Sequence, residues 1–226
     1  MTLFDFPDFI GYLTNGFLLR GALVTLALTL VTVLGGLVLG MLLALLRMSK
    51  QRLVVGAVRG YVWVFRGTPL LIQLVIIYTG LPQLGVRFGV VGSALLALIL
   101  NEAAYLAEII RSGFMGVPRS QYEAAEALGL PTWLALWKVT LPQAFRLMLP
   151  SLGNSINGLL KSTSITSVIS MEELMRRSQM VMQEKFEVLE VFCAAAIFYL
   201  LMTTAWGVIQ QHLERHFGAA HAAQRG

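Results

Sequence analysis

Two long runs without any charged residue constrain this chain more than any other feature. Gly21 to Leu46 contains 26 residues, and Val191 to Leu213 contains 23 residues, with no Asp, Glu, Lys or Arg. A helix of about 20 apolar residues crosses the roughly 30 Å hydrocarbon layer of a bilayer. Only 13% of the chain is charged, whereas a soluble domain carries about a quarter. The sequence therefore predicts an all-α polytopic membrane protein.

Five membrane spans are predicted within a single transmembrane domain that covers residues 1–226. The third and fourth spans contain charged residues, but their remainder is too apolar and too rich in glycine for a solvated loop. The single cysteine, Cys193, lies in the last uncharged run, so the sequence offers neither an internal disulfide nor a metal cluster. The spans are expected at about 18–46, 60–80, 89–111, 147–170 and 190–212.

The distribution of lysine and arginine predicts how the chain lies in the membrane. If the N-terminus is outside, the cytoplasmic segments hold ten basic residues and the outer segments hold four. Cytoplasmic loops are enriched in these residues, so the N-terminus is expected outside and the C-terminus in the cytoplasm. The net charge of +5 comes from basic residues scattered at the span ends. It therefore indicates membrane orientation and not nucleic-acid binding.

A less hydrophobic segment at about 118–142 separates the third and fourth spans and is expected on the cytoplasmic face. Ser120 and Glu123 have the S-x-x-E spacing of a capping box. The following residues favour a helix, which Gly129 is suited to end. Pro131 suits the first turn of a second helix. The segment is thus predicted to form two short helices joined by a glycine.

The residues of this segment leave two roles open. A catalytic pair of Glu123 and Glu126 is disfavoured, because no histidine, nucleophile or metal ligand lies near them in the sequence. The segment is either an interfacial connector or a docking surface, on which small side chains let another protein approach the backbone. The small residues are Ala124, Ala125 and Ala127.

The spacing within this segment resembles the EAA loop of ATP-binding-cassette (ABC) importer permeases, which reads EAA-x3-G-x9-I-x-LP. The only departure is Val139, which replaces the usual isoleucine. In that family the loop forms a coupling helix that docks into a groove of the cytoplasmic ATPase. The resemblance implies the same role here for Glu123, Ala124, Ala125, Gly129, Leu141 and Pro142.

Three other stretches are similar to permeases for polar amino acids, the importers of the histidine, glutamine, glutamate, arginine and opine type. They are FRGTPLLIQL (65–74), AYLAEIIRSG (104–113) and LKSTSITSVI (160–169). The resemblance implies a type I ABC importer permease in the bacterial cytoplasmic (inner) membrane. It would translocate a polar amino acid by alternating access.

The resemblance also implies which partners and cofactors the chain requires. The sequence contains no GxxxxGK[ST] phosphate loop, so the chain is expected not to be an enzyme and to bind no cofactor. ATP and Mg would be used by a separate ABC ATPase subunit. The other expected partners are a second permease subunit, in a homodimer or heterodimer, an extracytoplasmic amino-acid-binding protein, the amino-acid substrate and the lipid bilayer.

Glu102 lies near the middle of the third span, beside Asn101 and one helical turn from Tyr105. Charges at membrane depth are costly and usually face a bundle interior or a water-filled path. A buried carboxylate favours a cationic partner, which gives two hypotheses. Glu102 contacts the ammonium or guanidinium group of a basic amino acid, or it pairs with a cation of the protein such as Lys161.

The fourth span contains more polar residues than is usual for a membrane segment, and two arrangements would account for them. Its hydroxyl groups can satisfy backbone carbonyls of their own helix, or they can line a path for a hydrophilic solute. The predicted pathway residues combine both spans: Asn101, Glu102, Tyr105, Lys161, Ser162, Thr163 and Ser164.

Two further sets of residues are interpreted as a gate or as structural. Glu108 and Arg111 are three apart near the cytoplasmic end of the third span, where an ion pair is expected. The stretch Arg66-Gly67-Thr68-Pro69 breaks the second span. It is either a helix restart, which Pro69 favours, or part of a cytoplasmic gate.

Other functions fit the sequence less well. A secondary transporter or channel that uses Glu102 and Glu108 for ion coupling is the main alternative, but it gives no account of the glycine-joined cytoplasmic helices. An intramembrane enzyme lacks a nucleophile or metal constellation, because all three histidines lie in the C-terminal tail. A purely structural scaffold leaves the polar fourth span unexplained.

Overall fold

The computed structural model describes residues 4–222, with side chains from residue 4 to residue 217, and the described chain folds into helices and turns. The helices are α1 (Phe6–Leu13), α2 (Gly16–Arg47), α3 (Arg52–Gly67), α4 (Leu70–Val75), α5 (Val90–Met115), α6 (Arg119–Ala127), α7 (Thr132–Ala135), α8 (Leu141–Ser162), α9 (Leu174–Lys185) and α10 (Val188–Ala222). Short π and 3-10 turns extend α4 to Leu84, join α7 to α8, and extend α8 to Ile169.

Within the described part of the chain, three helices are long and apolar enough to cross a bilayer: α2, α5 and residues 188–217 of α10. The pair α3 and α4 counts as a fourth span if the bend between them lies within one crossing. The helix α8 begins at Leu141, six residues before the predicted start of the fourth span, and contains Pro150. The all-α membrane class is confirmed, and the fourth span, expected at about 147–170, stays a prediction.

The helix α5 lies at the centre of the fold, where it contacts α2, α3, α4 and α8. Small residues make the contact with α2 close. A Cβ atom at Gly40 would lie 2.9 Å from the Leu106 Cβ, and one at Gly36 would lie 3.2 Å from the Glu102 Cγ. Small side chains let membrane helices approach each other closely. These glycines therefore fix the position of Glu102 in the bundle.

At one end of the bundle, α1 packs against the start of α10. The Tyr12 hydroxyl donates a hydrogen bond to Glu187 at 2.5 Å, and the Asp5 amide donates one to Glu190 at 2.8 Å. Burial, together with the hydrogen bond to Glu187, raises the pKa of Tyr12. The Glu187 carboxylate, with a smaller effect of Asp5, raises the pKa of Asp8. The helix α1 is thus held against a concentration of negative charge.

The N-terminus of α9 is capped by a buried carboxylate. Glu173 accepts hydrogen bonds from the Met175 and Arg176 amides at 2.8 and 2.9 Å and from the Tyr199 hydroxyl at 3.0 Å. A side chain at this position satisfies amides that have no partner within the helix. Burial raises the pKa of Glu173, although these hydrogen bonds act in the opposite direction.

Candidate functional site

A cavity of about 560 Å³ opens between α3, α4, α5 and α8. Its size falls in the range of about 300–1,000 Å³ that is usual for small-molecule sites. Four of the predicted pathway residues line it, together with the whole Arg66–Pro69 stretch and polar residues of α8. The polar and charged lining residues are Arg66, Thr68, Asn101, Glu102, Tyr105, Asn154, Ser155 and Ser162.

Glu102 is the acidic residue of this lining. It is only 6% exposed, and its Oε1 atom accepts a hydrogen bond from the Ser155 hydroxyl at 2.6 Å. Among residues 4–217, it forms no ion pair, with Lys161 or with any other cation. Glu102 is therefore a buried carboxylate at the wall of a cavity, and its hydrogen-bond partner, the Ser155 hydroxyl, is neutral.

Arg66 is the cation of the same lining. Its guanidinium group lies over the Tyr105 ring, 5.1 Å from the centroid. A guanidinium over an aromatic face is attracted by the negative charge of the π system. This contact joins the end of α3 to α5 and holds a positive charge at the cavity wall that also carries Glu102.

The predicted pathway residues Lys161, Thr163 and Ser164 lie elsewhere. Lys161 and Ser164 line a second groove of about 420 Å³ beside α9 and α10, where Lys161 is exposed and forms no ion pair within residues 4–217. Thr163 is fully buried and donates to the Leu160 carbonyl at 2.8 Å. The structure thus places four of the seven predicted residues at the cavity, two at the second groove and Thr163 in the interior. Their role in transport stays a prediction.

The Arg66–Pro69 stretch forms a sharp corner between α3 and α4, whose axes differ by 104°. Pro69 stands directly before α4 in an extended conformation. Gln73 is buried behind this corner, and its amide nitrogen donates to the Phe65 and Thr68 carbonyls at 2.9 and 3.1 Å. The sequence analysis did not identify Gln73, although the proline at residue 69 signals that a carbonyl of α3 needs a partner.

The C-terminal end of α5 carries a three-residue ion cluster. Arg111 donates to the Glu108 Oε2 atom at 2.9 Å from Nη2 and at 3.3 Å from Nε. The Oε1 atom of Glu108 pairs with Arg47 of α2. The structure therefore forms the expected local pair and adds a second cation from another helix. Glu108 therefore binds two arginines, and it does not line the Glu102 cavity.

The helices α6 and α7 form an exposed turn at the same end of the molecule. Gly129 has a φ of +67°, a left-handed conformation that side chains rarely adopt. Its amide donates to the Glu126 carbonyl at 2.9 Å, and the Leu130 amide donates to the Ala125 carbonyl at 3.0 Å. These two bonds form a Schellman motif, which ends a helix at a left-handed residue. The glycine that ends α6 was predicted correctly.

The start of this turn differs from the prediction. The capping box of Ser120 and Glu123 is not formed, because α6 begins at Arg119 with Pro118 as its N-cap and without a side-chain cap. Glu123 lies instead 3.2 Å from Arg119, in an exposed pair. The second helix does not end before Leu141 either. A π turn (Leu136–Thr140) carries it directly into α8, with Pro142 at the second position of α8.

The predicted coupling residues are mostly at the surface of the turn. Glu123, Ala124, Gly129 and Pro142 are exposed, Leu141 is half-buried, and Ala125 is buried against the rest of the chain. The large apolar side chains beside them were not among the predicted residues, because exposure cannot be read from a helical segment alone. Leu128, Trp133 and Trp137 are 78%, 65% and 61% exposed. An apolar surface of this kind, rimmed by polar groups, is typical of a protein interface.

Comparisons with known proteins agree with this architecture. Residues 36–218 match the family described as binding-protein-dependent transport system inner membrane component. The chain is 39% identical over 200 residues to a putative glutamine transport system permease protein GlnP of Rickettsia conorii, covering 88% of this chain and 92% of that protein. It is 38% identical over 200 residues to the arginine transport system permease protein ArtQ of Bacillus subtilis, covering 88% of this chain and 91% of that one.

A solved structure shares the whole fold. It is a chain of an amino acid ABC transporter crystallised with histidines, with a TM-score of 0.88 and 35% sequence identity. The alignment covers 96% of this chain and 100% of that chain.

Proposed function

The chain belongs to the family of binding-protein-dependent transport system inner membrane components, and on this basis we propose that it imports a basic amino acid through the Glu102 cavity. It is the permease subunit of an ATP-driven amino-acid importer, since its relatives are amino-acid permeases and its fold is that of an ABC transporter permease. The charge of the substrate and the path that it takes are our inference from the cavity.

One observation carries the choice of a basic substrate: Glu102 is buried at the cavity wall without a cationic partner among residues 4–217. A buried charge is costly unless it is paired. The guanidinium or ammonium group of a basic side chain would supply the missing cation through a charge-assisted hydrogen bond. Arg66, in the same lining, would attract the substrate carboxylate.

The alternative of ion coupling through Glu102 and Glu108 has less support. Glu108 is engaged by Arg47 and Arg111 and lies outside the cavity. Binding a transported ion there would require the carboxylate to leave both arginines. An ATP-driven permease needs no such ion site.

We propose that the turn of α6 and α7 docks on the ATPase subunit that hydrolyses ATP with Mg. The exposed Leu128, Trp133 and Trp137 would fill an apolar groove of that subunit, with Glu123 at the rim. Closure of the ATPases would move this turn and switch the permease between its inward-facing and outward-facing states. The turn then lies in the cytoplasm, which places the N-terminus outside.

We also propose that a second permease subunit covers the groove that holds Lys161. An unpaired, exposed cation at membrane depth is costly against lipid. Lys161 is exposed and forms no ion pair within the described chain. A second permease, identical or similar, would supply a polar environment, and an extracytoplasmic binding protein would deliver the amino acid to the pair.

Substrate binding to the reconstituted permease–ATPase complex, in the absence of the binding protein, tests the substrate class. We expect arginine, lysine or histidine to bind more tightly than glutamine. Glu102→Gln should weaken binding of the basic substrate about tenfold or more, because a hydrogen bond to a charged group contributes about 1.5–3 kcal/mol. Glu184→Gln, in an exposed residue of α9, is the matched control. Unchanged affinity for all three basic amino acids in Glu102→Gln would refute the proposed substrate contact.

A further inference from the structure

A chain of two side-chain amides, the buried Gln73 and the half-buried Asn101, lies between the corner and the Glu102 cavity. The Gln73 amide nitrogen donates to the carbonyls of Phe65 and Thr68 and, at 2.9 Å, to the Thr68 hydroxyl. The Gln73 amide oxygen accepts from the Asn101 amide nitrogen at 3.0 Å. That nitrogen also donates to the Phe65 carbonyl at 3.0 Å.

Pro69 explains why two side-chain amides meet at Phe65. In a continuous helix, the Phe65 carbonyl would accept the N–H of the residue four positions later. That residue is Pro69, which has no N–H. The carbonyl therefore needs a donor from elsewhere, since an unpaired buried carbonyl is costly. Gln73 and Asn101 supply it.

The backbone fixes the direction of both amides. Carbonyl oxygens only accept hydrogen bonds, so the Gln73 nitrogen faces Phe65 and Thr68, and its oxygen faces Asn101. The nitrogen of Asn101 must then face Gln73 and Phe65, and both of its N–H groups are used. The oxygen of Asn101 has no hydrogen-bond donor among residues 4–217. Asn101 lines the cavity next to Glu102.

We propose that Gln73 is a positioning residue that determines specificity: by fixing the Asn101 amide, it provides the cavity with a hydrogen-bond acceptor beside Glu102. Two acceptors side by side match the several N–H donors of a guanidinium or ammonium group. They repel a side chain that presents a carbonyl oxygen there. This inference rests on the proposed function, and it adds a residue that does not touch the substrate.

L-arginine and L-citrulline are suitable probes, because citrulline has the shape of arginine with an oxygen in place of one nitrogen. Their affinities would be measured on the intact permease–ATPase complex. Gln73→Met, which keeps the length but removes both amide functions, should lower the ratio of arginine to citrulline affinity at least about fivefold. Tyr61→Phe is the control. It removes a neighbouring hydrogen bond to the Leu100 carbonyl, 2.6 Å long, and should leave the ratio unchanged.

A double-mutant cycle separates positioning from general damage to the fold. If Gln73 acts through Asn101, Gln73→Met should have no further effect on the ratio in the Asn101→Ala background. An unchanged ratio in Gln73→Met, or an equal loss in both backgrounds, would overturn the inference. If the Gln73→Met complex does not assemble, the test falls to Asn101→Ala, which should lower the ratio of arginine to citrulline affinity at least about fivefold. An unchanged ratio in Asn101→Ala would also overturn the inference.

The wild-type complex distinguishes this inference from the proposed function. If the wild type does not prefer basic amino acids, both fail. If it prefers them and the Gln73 variants leave the ratio intact, only the role of Gln73 is refuted.

Discussion

The Ser155 hydroxyl of α8 lies 2.6 Å from the Glu102 carboxylate of α5 and donates a hydrogen bond to it. These residues are 53 positions apart in the sequence, and their contact closes one wall of the cavity. The hydroxyl holds one carboxylate oxygen, which leaves the other available to a ligand.

Ser155→Ala should weaken binding of the basic substrate, because Glu102 loses the donor that orients it. A hydrogen bond to a charged group contributes about 1.5–3 kcal/mol, and 1.4 kcal/mol is tenfold in affinity. We therefore expect a loss of about tenfold in direct binding measurements. Ser155→Thr retains the hydroxyl and should lose less. Equal affinities in the alanine variant and the wild type would show that the contact does not prepare Glu102 for its ligand.

Glu108→Ala should destabilise the protein through the ion cluster at the C-terminal end of α5. Without the carboxylate, Arg47 and Arg111 face each other with no charge between them. Breaking a buried pair costs about 3–5 kcal/mol. Since these side chains keep 17–27% exposure, we expect about 2 kcal/mol, measured as a lower melting temperature of the solubilised complex.

Arg119→Ala is the matched control for this prediction. It breaks an exposed pair, with side-chain exposures of 92% and 63%. Such pairs contribute about 0.2–1 kcal/mol. If both variants melt at the same temperature, Glu108 does not bridge α2 and α5.

Gly129→Val should impair coupling to the ATPase while leaving membrane insertion intact. A Cβ at this position would meet no atom within 4 Å, so the cost is backbone strain at a φ of +67°. For residues with a side chain, that conformation costs roughly 1–2 kcal/mol. We expect less ATPase in affinity purification and less ATP-dependent uptake, at a normal amount of permease in the membrane.

Gly129→Asn tests the reason given for this effect. Asparagine tolerates the left-handed conformation better than other residues with a side chain. It should therefore lose less coupling than valine. Normal transport by the valine variant would refute the docking role of the turn.

Asp8→Asn should raise thermal stability at neutral pH, and this gain should disappear in acid. Glu187 and then Asp5 raise the pKa of Asp8 in the folded protein, so the folded state binds a proton more readily than the unfolded state. The charged carboxylate thus opposes folding above its folded pKa, and protonation relieves this as the pH falls. The melting temperatures of both proteins between pH 7 and about pH 4 measure the difference. A difference that does not change with pH would contradict the prediction.

The parts predicted from the sequence rest on local patterns. The uncharged runs correspond to α2 and α10, and the Gly129 turn ends α6, because apolar length and backbone conformation are properties of short segments. The prediction of a capping box at Ser120 and Glu123 was wrong, because the helix begins earlier than that pattern requires. Pro118 is the N-cap instead, two residues before Ser120, so α6 already begins at Arg119.

The candidate site was predicted only in part, because its lining comes from four helices. Asn101, Glu102 and Tyr105 were identified since a polar group within an apolar span stands out. Lys161 stands out equally, but it faces a different groove. Which side of α8 faces α5 depends on the packing of helices that are distant in the sequence, and no local pattern contains that information.

The sequence by itself determined that this chain is an all-α membrane protein with a helix that ends at Gly129, and its resemblance to importer permeases indicated an amino-acid permease. The membrane class follows from the cost of charge in hydrocarbon, and the helix end follows from the left-handed conformation that a glycine adopts readily. Only the tertiary structure decided that Ser155, and not Lys161, is the partner of Glu102, and that Gln73 and Asn101 replace the amide that Pro69 lacks. A buried carboxylate or carbonyl requires a partner wherever it lies, but which side chain fills that place is set by how the helices pack.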